Sequence, residues 1–399
     1  MSHVLTVAPV AVVTLAALAP PRRPRSVANL AFWLGYLVNE FPFLAFCWLV
    51  ASTLLALASE RRGTPAGVVI VALVVLTACA LARIMWRALL AGPSVAGALS
   101  RDLGVGGATK ASDDRLARRR LPTRAVIWPL PLGARRVRRI ANISYGPAGR
   151  RNRLDLYRHR SCSAGAPVLI HFHGGHFRTG GKSRETQALL RRYASQGWVC
   201  ISANYRVRRA GRFPASLIDA KQVIAWVRHH AAEYGVDSSL LVVAGSSAGA
   251  HLASMAALTP NDPRFQPGFE QTDTSVSAAI CLYGFYGSRE PAGSPPSSPR
   301  AYLHRHAPPF FVVHGENDTL TPAPLALSFV EELRAVSMNP VVYAQLPGAQ
   351  HSFDLLHSVR FEYVIEGIER FTSWVRHRHD PPDAERNDGL APLRPAEIR

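Results

Sequence analysis

A serine flanked by glycines is the side chain of this sequence best suited to nucleophilic chemistry. Residues 245–249 have the sequence G-S-S-A-G, and they separate an unbroken apolar run at 240–244 from a segment of small residues that starts at Ala248. The run predicts a strand buried on both faces, and the segment predicts a buried helix. The glycines permit a sharp turn between the two, which leaves the hydroxyl of Ser247 at the strand end and directs the Ala248 amide to the same point.

Two further strand ends supply a candidate acid and a candidate base. Asp318 follows the strand predicted at 310–314, and His351 lies on the loop after the strand predicted at 341–346. Ligands of an open α/β sheet bind beyond the carboxyl ends of its strands. We therefore expect both side chains to lie near the serine.

Each of these candidates has a competitor. An aspartate that only caps the next helix is the alternative for Asp318. The rival acid, Asp354, lies three residues after the candidate base and is less well placed to orient it. The rival bases His251 and His314 lie within the turn-helix and strand-end motifs, so they have less freedom to reach the serine.

A glycine pair follows the strand predicted at 168–173, where the sequence continues as H-G-G-H. Gly174 and Gly175 carry no side chain, so backbone amides can approach a substrate oxygen at this point. Removal of one amide donor from such an oxyanion site typically costs roughly 10²–10³ in rate. The loop is therefore a candidate for stabilising negative charge.

Metal and phosphate sites are less well supported. His171, His173 and His176 lack a recognisable zinc-ligand spacing, and five scattered cysteines indicate neither a disulfide framework nor a C-x-x-C site. Residues 180–183 (G-G-K-S) resemble the end of a phosphate-binding loop, but position 176 is histidine where that motif requires glycine. The sequence predicts no metal and no organic cofactor.

Strand and helix patterns alternate between residues 138 and 378. Segments 138–144 and 153–158 flank a G-P-A-G turn and predict an antiparallel hairpin. Further strands are predicted at 168–173, 199–205, 240–244, 276–283, 310–314 and 341–346. Helices are predicted at 183–196, at 214–234, from 248, at 322–336 and at 358–376. This order predicts an α/β domain with a mainly parallel eight-stranded sheet and helices on both faces.

Residues 1–90 predict a helical transmembrane region. The stretches 4–20, 41–59 and 64–82 are apolar and contain no charged residue. About 20 such residues span a bilayer, so each stretch is predicted to cross the membrane. The second and third stretches, joined by a short charged turn, resemble a membrane hairpin. Buried core helices are the alternative.

Arginine placement predicts the orientation of this region and the role of the segment after it. The formal net charge is +19, and arginines lie on both sides of the predicted hairpin. The positive-inside rule then places the following domain on the cytoplasmic side of a bacterial inner membrane, and an additional crossing at 28–40 would reverse this. The basic segment 91–137 is predicted to be a linker that contacts anionic head groups, with a solvated linker as the alternative. No nucleic-acid-binding fold surrounds it. The tail at 379–399 is predicted to be disordered.

Six short stretches resemble the hormone-sensitive-lipase-like esterases of the α/β-hydrolase family. They are 153–157 (RLDLY), 173–175 (HGG), 204–206 (NYR), 245–249 (GSSAG), 314–318 (HGEND) and 351–353 (HSF). The chain order of serine, acid and base is also that of α/β-hydrolases. With its apolar N-terminal region, the whole chain is similar to the membrane-anchored carboxylesterases of mycobacteria and related actinobacteria.

This resemblance implies an α/β-hydrolase fold over residues 138–378 and a lipase-like carboxylesterase activity on short-to-medium acyl esters. It implies that Ser247 is the nucleophile, His351 the base and Asp318 the acid, with no cofactor. The implied oxyanion hole consists of the amides of Gly174, Gly175 and Ala248.

Two departures from the esterase pattern leave the substrate open. The glycine loop of these esterases usually continues as H-G-G-G, whereas His176 occupies the fourth position here, as in kynurenine-formamidase-like hydrolases. An amidase or formamidase with the same triad is therefore an alternative. The short Pro- and Ser-rich stretch 287–300 stands where many relatives carry a longer cap, which indicates an open pocket. The remaining alternative, an inactive membrane-tethered interaction module, is disfavoured because the triad and glycine positions are all present.

Overall fold

The computed structural model describes residues 2–59, 65–104, 136–161, 164–290 and 295–379. Residues 105–135 of the predicted linker and the tail beyond residue 379 lie outside the described residues.

The domain is built on one eight-stranded sheet with the order β1-β2-β4-β3-β5-β6-β7-β8. Its strands are β1 Val137–Ser144, β2 Arg153–His159, β3 Ala166–Phe172, β4 Val199–Ala203, β5 Val236–Ser246, β6 Ala278–Leu282, β7 Phe310–Gly315 and β8 Val341–Leu346. The first two strands form the predicted antiparallel hairpin, and β2 is also antiparallel to β4. All other pairings are parallel, so the strands from β3 onward direct their carboxyl ends to the same edge. The predicted α/β-hydrolase fold is confirmed.

Helices cover both faces of the sheet. They are α5 Ala91–Leu103, α6 Gln187–Ser195, α7 Ala215–His229, α8 Ala231–Tyr234, α9 Ala248–Leu258, α10 Ala323–Val336 and α11 Val359–His379. Apolar residues of α7, α9 and α10 form one core with the sheet, and those of α5, α6 and α11 form a second core on the other face. Burial on both faces explains the apolar runs at 166–170 in β3, 240–244 in β5 and 310–313 in β7.

Several predicted elements have different bounds in the structure, and three of them show a specific reason. The strand predicted at 240–244 is extended at both ends, since β5 pairs with β3 from Val236 onward. The helix predicted at 183–196 starts only after Thr186, whose φ of 54° is incompatible with a right-handed helix. The helix predicted at 214–234 is interrupted at His230, which separates α7 from α8.

The N-terminal region consists of α1 Ser2–Leu18, α2 Arg25–Glu40, α3 Pro42–Ser59 and α4 Pro65–Leu89. By length and composition, one continuous helical stretch, Val68–Leu103, could cross a membrane. The pair formed by α2 and α3 is long enough only when counted as one unit, and it is bent by 83°. The apolar part of α1, Thr6–Leu18, is shorter than a span. The three-span arrangement over 4–20, 41–59 and 64–82 therefore stays a prediction.

The linker was predicted to start at residue 91, and this is wrong. Residues 91–103 form α5, which packs against the α/β domain. The buried residues Ala91, Val95, Ala98 and Leu99 recur at helical spacing on one face of α5. A side chain at Gly367 on α11 would come within 2.3 Å of Val95, so the two helices approach closely. The prediction of a linker rested on the basic residues of the segment. It did not account for this apolar face, because most of those basic residues lie beyond α5.

Close backbone packing holds the turn between β5 and α9. A side-chain carbon at Gly245 would lie 2.1 Å from the carbonyl oxygen of Gly249, and one at Gly249 would lie 1.9 Å from the carbonyl oxygen of Phe172. Both contacts are with backbone, which cannot move aside as a flexible side chain could. Glycine at these positions is therefore required by space as well as by the sharpness of the turn.

We predict that Gly249→Ala destabilises the domain, because the added methyl group must displace β3 or α9. Overpacking of this kind typically costs about 1–3 kcal/mol or more. The melting temperature should accordingly fall by roughly 5–10 °C in a thermal denaturation experiment. Gly181→Ala is the matched control, since its added carbon would approach no atom closer than 3.6 Å. Equal melting temperatures for the two variants would contradict this account of the turn.

Candidate active site

The turn between β5 and α9 places Ser247 at the carboxyl edge of the sheet. Its backbone has φ 55° and ψ −113°, a sparsely populated conformation that costs on the order of 1–3 kcal/mol. The amide of Ser247 donates a hydrogen bond to the carbonyl of Leu282 at the end of β6 (2.9 Å), which holds the turn against the neighbouring strand. The residue is 5% exposed. The serine is thus held in a strained conformation at a strand end, nearly shielded from solvent.

The structure brings the three predicted triad residues together in one hydrogen-bonded chain. Nε2 of His351 lies 2.9 Å from Oγ of Ser247, and Nδ1 of the same ring lies 2.7 Å from Oδ2 of Asp318. The loops after β7 and β8 carry the aspartate and the histidine, and these strands pair in parallel beside β6. Tyr283 packs edge-on against the imidazole with ring centroids 4.5 Å apart.

Asp318 serves the turn and the histidine at once. Its Oδ1 accepts hydrogen bonds from the amides of Leu320 (2.9 Å) and Thr321 (2.8 Å), while Oδ2 accepts one from the Thr321 hydroxyl (3.0 Å). Burial by itself would raise the pKa of this carboxyl, but His351 and His314 lower the pKa well below its usual value. Asp318 can therefore hold the turn before α10 and orient His351 at the same time.

The rival acid and the rival bases are engaged elsewhere. Both carboxylate oxygens of Asp354 accept hydrogen bonds, one from the hydroxyl of Ser246 and one from that of Tyr283. The ring of His314 donates to the carbonyl of Thr321 (2.6 Å), and Nδ1 of His251 lies 3.0 Å from the carbonyl of Phe285. These contacts satisfy the side chains without involving Ser247.

The glycine loop requires a correction to the predicted oxyanion hole. The amide of Gly174 donates a hydrogen bond to Oε2 of Glu185 (2.5 Å), so it is not available to a substrate oxygen. A side-chain carbon at Gly174 would lie 3.2 Å from Cβ of Ser247. The close approach of these two residues therefore explains why position 174 is glycine. Gly175 and His176 follow with φ of 117° and 54°. In the part of the chain that the structure describes, the amides of these two residues donate to no protein acceptor.

His176 lies at the open side of this loop. Its side chain is exposed, and its ring centroid lies 6.4 Å from that of His351. Partial desolvation of the ring and its proximity to His351 and Arg178 lower the pKa of His176 below its usual value. The residue that departs from the esterase glycine pattern thus borders the predicted triad, and its surroundings disfavour the charged imidazolium.

Glu185 is a site residue that sequence reasoning missed. It is buried, and its carboxylate holds the glycine loop through the Gly174 amide. Burial, together with the charge of nearby Asp354, raises the pKa of Glu185 to about 8, and burial raises the pKa of Asp354 to about 6. The surrounding sequence K-S-R-E-T is polar and predicts a solvated segment, so no local pattern signals a buried acid.

The residues considered for metal or phosphate binding have structural partners. Nε2 of His171 lies 2.9 Å from the hydroxyl of Ser246, and Nδ1 of His173 donates to the carbonyl of Gly174 (2.6 Å). Lys182 forms a buried ion pair with Asp155 at 2.6 Å. Within the described residues, no three His, Cys, Asp or Glu side chains form a cluster that could hold a metal ion.

We predict that Glu185→Gln changes how stability depends on pH. A carboxyl whose pKa is raised in the folded protein keeps its proton while the unfolded chain ionises. Its contribution to stability is therefore present below pH 4.5 and is lost as pH rises towards 8. Between pH 5 and pH 8, the melting temperature of the wild type should fall relative to that of the variant, by roughly 5 °C or more. If the melting temperatures of the two proteins changed with pH in parallel, a buried, protonated Glu185 would be contradicted.

Comparisons with known proteins show the family of the chain. The family described as BD-FAE matches residues 154–290. The Mycobacterium tuberculosis protein named "Probable carboxylic ester hydrolase LipM" is 37% identical over 401 residues, which cover 92% of each chain. Esterase LipQ of the same organism is 40% identical over 264 residues, 60% of this chain and 63% of LipQ.

A solved structure gives the same result for the fold. The structure of Thermogutta terrifontis esterase 2 phosphorylated by paraoxon is 26% identical in sequence and has a TM-score of 0.50. The match covers 58% of this chain and 92% of that esterase. Identity to LipM over nearly the whole of both chains establishes the relationship: the chain belongs to the α/β-hydrolase carboxylesterases of the LipM type and is a carboxylic ester hydrolase.

Proposed function

We propose that the protein hydrolyses short-to-medium acyl esters through a covalent acyl-enzyme, with Ser247 as nucleophile, His351 as general base and Asp318 as the orienting acid. The observation that supports this most strongly is the continuous chain of hydrogen-bonding contacts at 2.9 Å and 2.7 Å from serine to imidazole to carboxylate. These distances lie within the reach required for proton transfer from a serine to a histidine.

In the first half of the cycle, Nε2 of His351 takes the proton of the Ser247 hydroxyl as its oxygen attacks the ester carbonyl. Asp318 stays ionised because its pKa is far below neutral, so it fixes the ring tautomer and stabilises the imidazolium. The imidazolium then gives its proton to the departing alcohol. In the second half, water activated by the same ring releases the carboxylic acid and restores the serine.

We assign the oxyanion hole to the amides of Gly175, His176 and Ala248. The first two follow Gly174 around the turn and donate to no acceptor among the described residues. Ala248 is the first residue of α9, where helix amides have no intrahelical partner. Gly174 contributes indirectly, since its amide bond to Glu185 holds the loop in place.

An aromatic cluster lies beside the helix that follows Ser247. His251 lies one turn after Ser247 on α9 and packs against Phe177 and Phe285 with ring centroids 5.5 Å and 5.8 Å apart. The guanidinium of Arg289 stacks on Phe177 at 3.5 Å. These side chains thus pack against one another beside the helix that follows Ser247.

An amidase or formamidase is the second candidate, and His176 is the observation that favours it. An exposed imidazole that borders His351 can donate to or accept from a polar leaving group such as an amine. Hydrolysis of an N-formyl aromatic amine, compared with p-nitrophenyl acetate and butyrate, separates the two candidates. A higher kcat/KM for the amide would replace the esterase proposal.

We also propose that the N-terminal helices anchor the enzyme to a membrane, in the multi-pass arrangement with a cytoplasmic catalytic domain. Support comes from the distribution of exposed large apolar side chains, which is concentrated between Val12 and Leu89. The catalytic domain exposes only Leu325, Val336 and Met338 among the described residues. Such an apolar surface favours lipid over water.

Replacement of the nucleophile should abolish turnover. We predict that Ser247→Ala lowers kcat for p-nitrophenyl butyrate by at least about 10³-fold, since no other group supplies the attacking oxygen. Ser254→Ala on the same helix is the matched control, because its hydroxyl bonds only to Ala250 and Cys281. Similar rates for Ser247→Ala and the wild type would refute the assignment.

Substitution of the two aspartates should identify the orienting acid. We predict that Asp318→Asn lowers kcat by roughly 10⁴-fold, because the amide favours the wrong histidine tautomer. Asp354→Asn should lower kcat far less, since its hydroxyl partners can also bond to an amide. Steady-state kinetics on both variants tests this, and a larger loss for Asp354→Asn would exchange the roles.

A further inference from the structure

Helix α2 has two faces with different surroundings. Its buried residues recur at helical spacing and are Ala28, Ala31, Phe32, Gly35, Tyr36, Asn39 and Glu40. The opposite face exposes Leu30, Trp33 and Leu37, each about 60% exposed or more. The polar end of the buried face, from Tyr36 to Glu40, forms hydrogen bonds with the catalytic domain.

The first of these contacts reaches the loop that carries His351. The hydroxyl of Tyr36 donates a hydrogen bond of 2.9 Å to the carbonyl of Ser352, the residue directly after the histidine. Ser352 has a φ of 62°, a left-handed conformation that needs support from its surroundings. The same carbonyl accepts a hydrogen bond from the amide of Leu355 at 3.1 Å, so the Tyr36 hydroxyl is its second hydrogen-bond donor.

The second contact is a buried ion pair that fastens the end of α2. Glu40 and Arg360 on α11 meet at 2.7 Å, and both side chains are 1% exposed. The other carboxylate oxygen of Glu40 accepts the Ser358 hydroxyl at 2.7 Å, and Arg360 also donates to the carbonyl of Asn39 at 3.1 Å. Because separation would leave a buried charge unpaired, this pair fixes the position of α2 on the domain.

Helix α4 touches the same loop from its other end. A side-chain carbon at Gly348 would lie 2.8 Å from Cδ of Arg87, and Arg87 also donates to the carbonyl of Leu18 in α1 at 3.2 Å. Two N-terminal helices therefore contact the segment on either side of His351, at Gly348 and at Ser352. The side-chain hydrogen bonds of Ser247 and Asp318 among the described residues go to other partners than α2 and α4.

We propose that α2 is a brace for the histidine loop, and that Tyr36 is a positioning residue for the reaction, held in register by the Glu40–Arg360 pair. This inference rests on the proposed function, in which His351 is the base. In that role the imidazole must stay aligned with the serine in both half-reactions, and small misplacements of a catalytic group lower the rate of chemistry more than substrate binding. The N-terminal helices thus act on catalysis as well as on anchoring.

The test uses the full-length enzyme in detergent micelles with p-nitrophenyl butyrate as substrate. For Tyr36→Phe, which removes one hydrogen bond and no packing, kcat should fall roughly fivefold while KM stays within about twofold. Both half-reactions use His351, so kcat falls whichever of them limits turnover. Tyr302→Phe is the matched control, since it removes a similar phenol-to-carbonyl bond (Pro296, 2.7 Å) outside the three loops that carry Ser247, Asp318 and His351, and it should retain wild-type kcat.

A second variant makes the test independent of Tyr36 itself. Glu40→Gln weakens the ion pair, so it should lower kcat in the same direction, and the double variant should lose less than the product of the two single losses because both act through one brace. Wild-type kcat in Tyr36→Phe, a loss confined to KM, or multiplicative losses in the double variant would overturn the proposal. Absence of ester hydrolysis by the wild type would instead refute the proposed function.

Discussion

The hydrogen bond between Asp318 and His351 joins two loops that the sheet brings side by side. The loops follow β7 and β8, so the parallel register of these strands sets the distance between carboxylate and imidazole. The carboxylate is buried, and its neighbours His351, His314 and Thr321 supply the polar contacts that a buried charge requires. Because the ring satisfies this charge on one side, its other nitrogen is directed at Ser247. The geometry of the site therefore depends on one buried, fully bonded acid.

Three supports hold the remaining parts of the site from behind. Glu185 fixes the glycine loop through the amide of Gly174, and Asp354 fixes the strand end beside Ser247 through Ser246. In our proposal α2 adds the third support, through the hydrogen bond from Tyr36 to the histidine loop. Each acts on backbone or on a neighbouring residue and leaves the reacting atoms free. A catalytic site of few residues thus depends on a larger buried polar network.

Sequence reasoning located the elements that follow general rules and missed those fixed by tertiary contact. Long apolar runs and the strand-end rule predict Ser247, Asp318 and His351 at one edge of the sheet, where the structure has them. The assignment of the Gly174 amide to the oxyanion hole is wrong. A glycine at this position can be required because two backbone segments approach closely, and the sequence does not distinguish the two reasons. No local sequence pattern indicates that Glu185 is buried, because its burial depends on residues distant in the chain. The sequence predicts a linker where α5 forms, because the arginines that follow this helix dominate the charge of the segment.

Identification of the modified residue after treatment with an organophosphate tests the central claim most directly. The related esterase 2 of Thermogutta terrifontis has been solved as the form phosphorylated by paraoxon, so the reagent suits this fold. The full-length protein would be treated with paraoxon, digested and sequenced by mass spectrometry. Our account predicts a single diethyl phosphate adduct on Ser247, formed in parallel with loss of esterase activity. Loss of activity with the adduct on another residue, or retained activity with Ser247 modified, would contradict it.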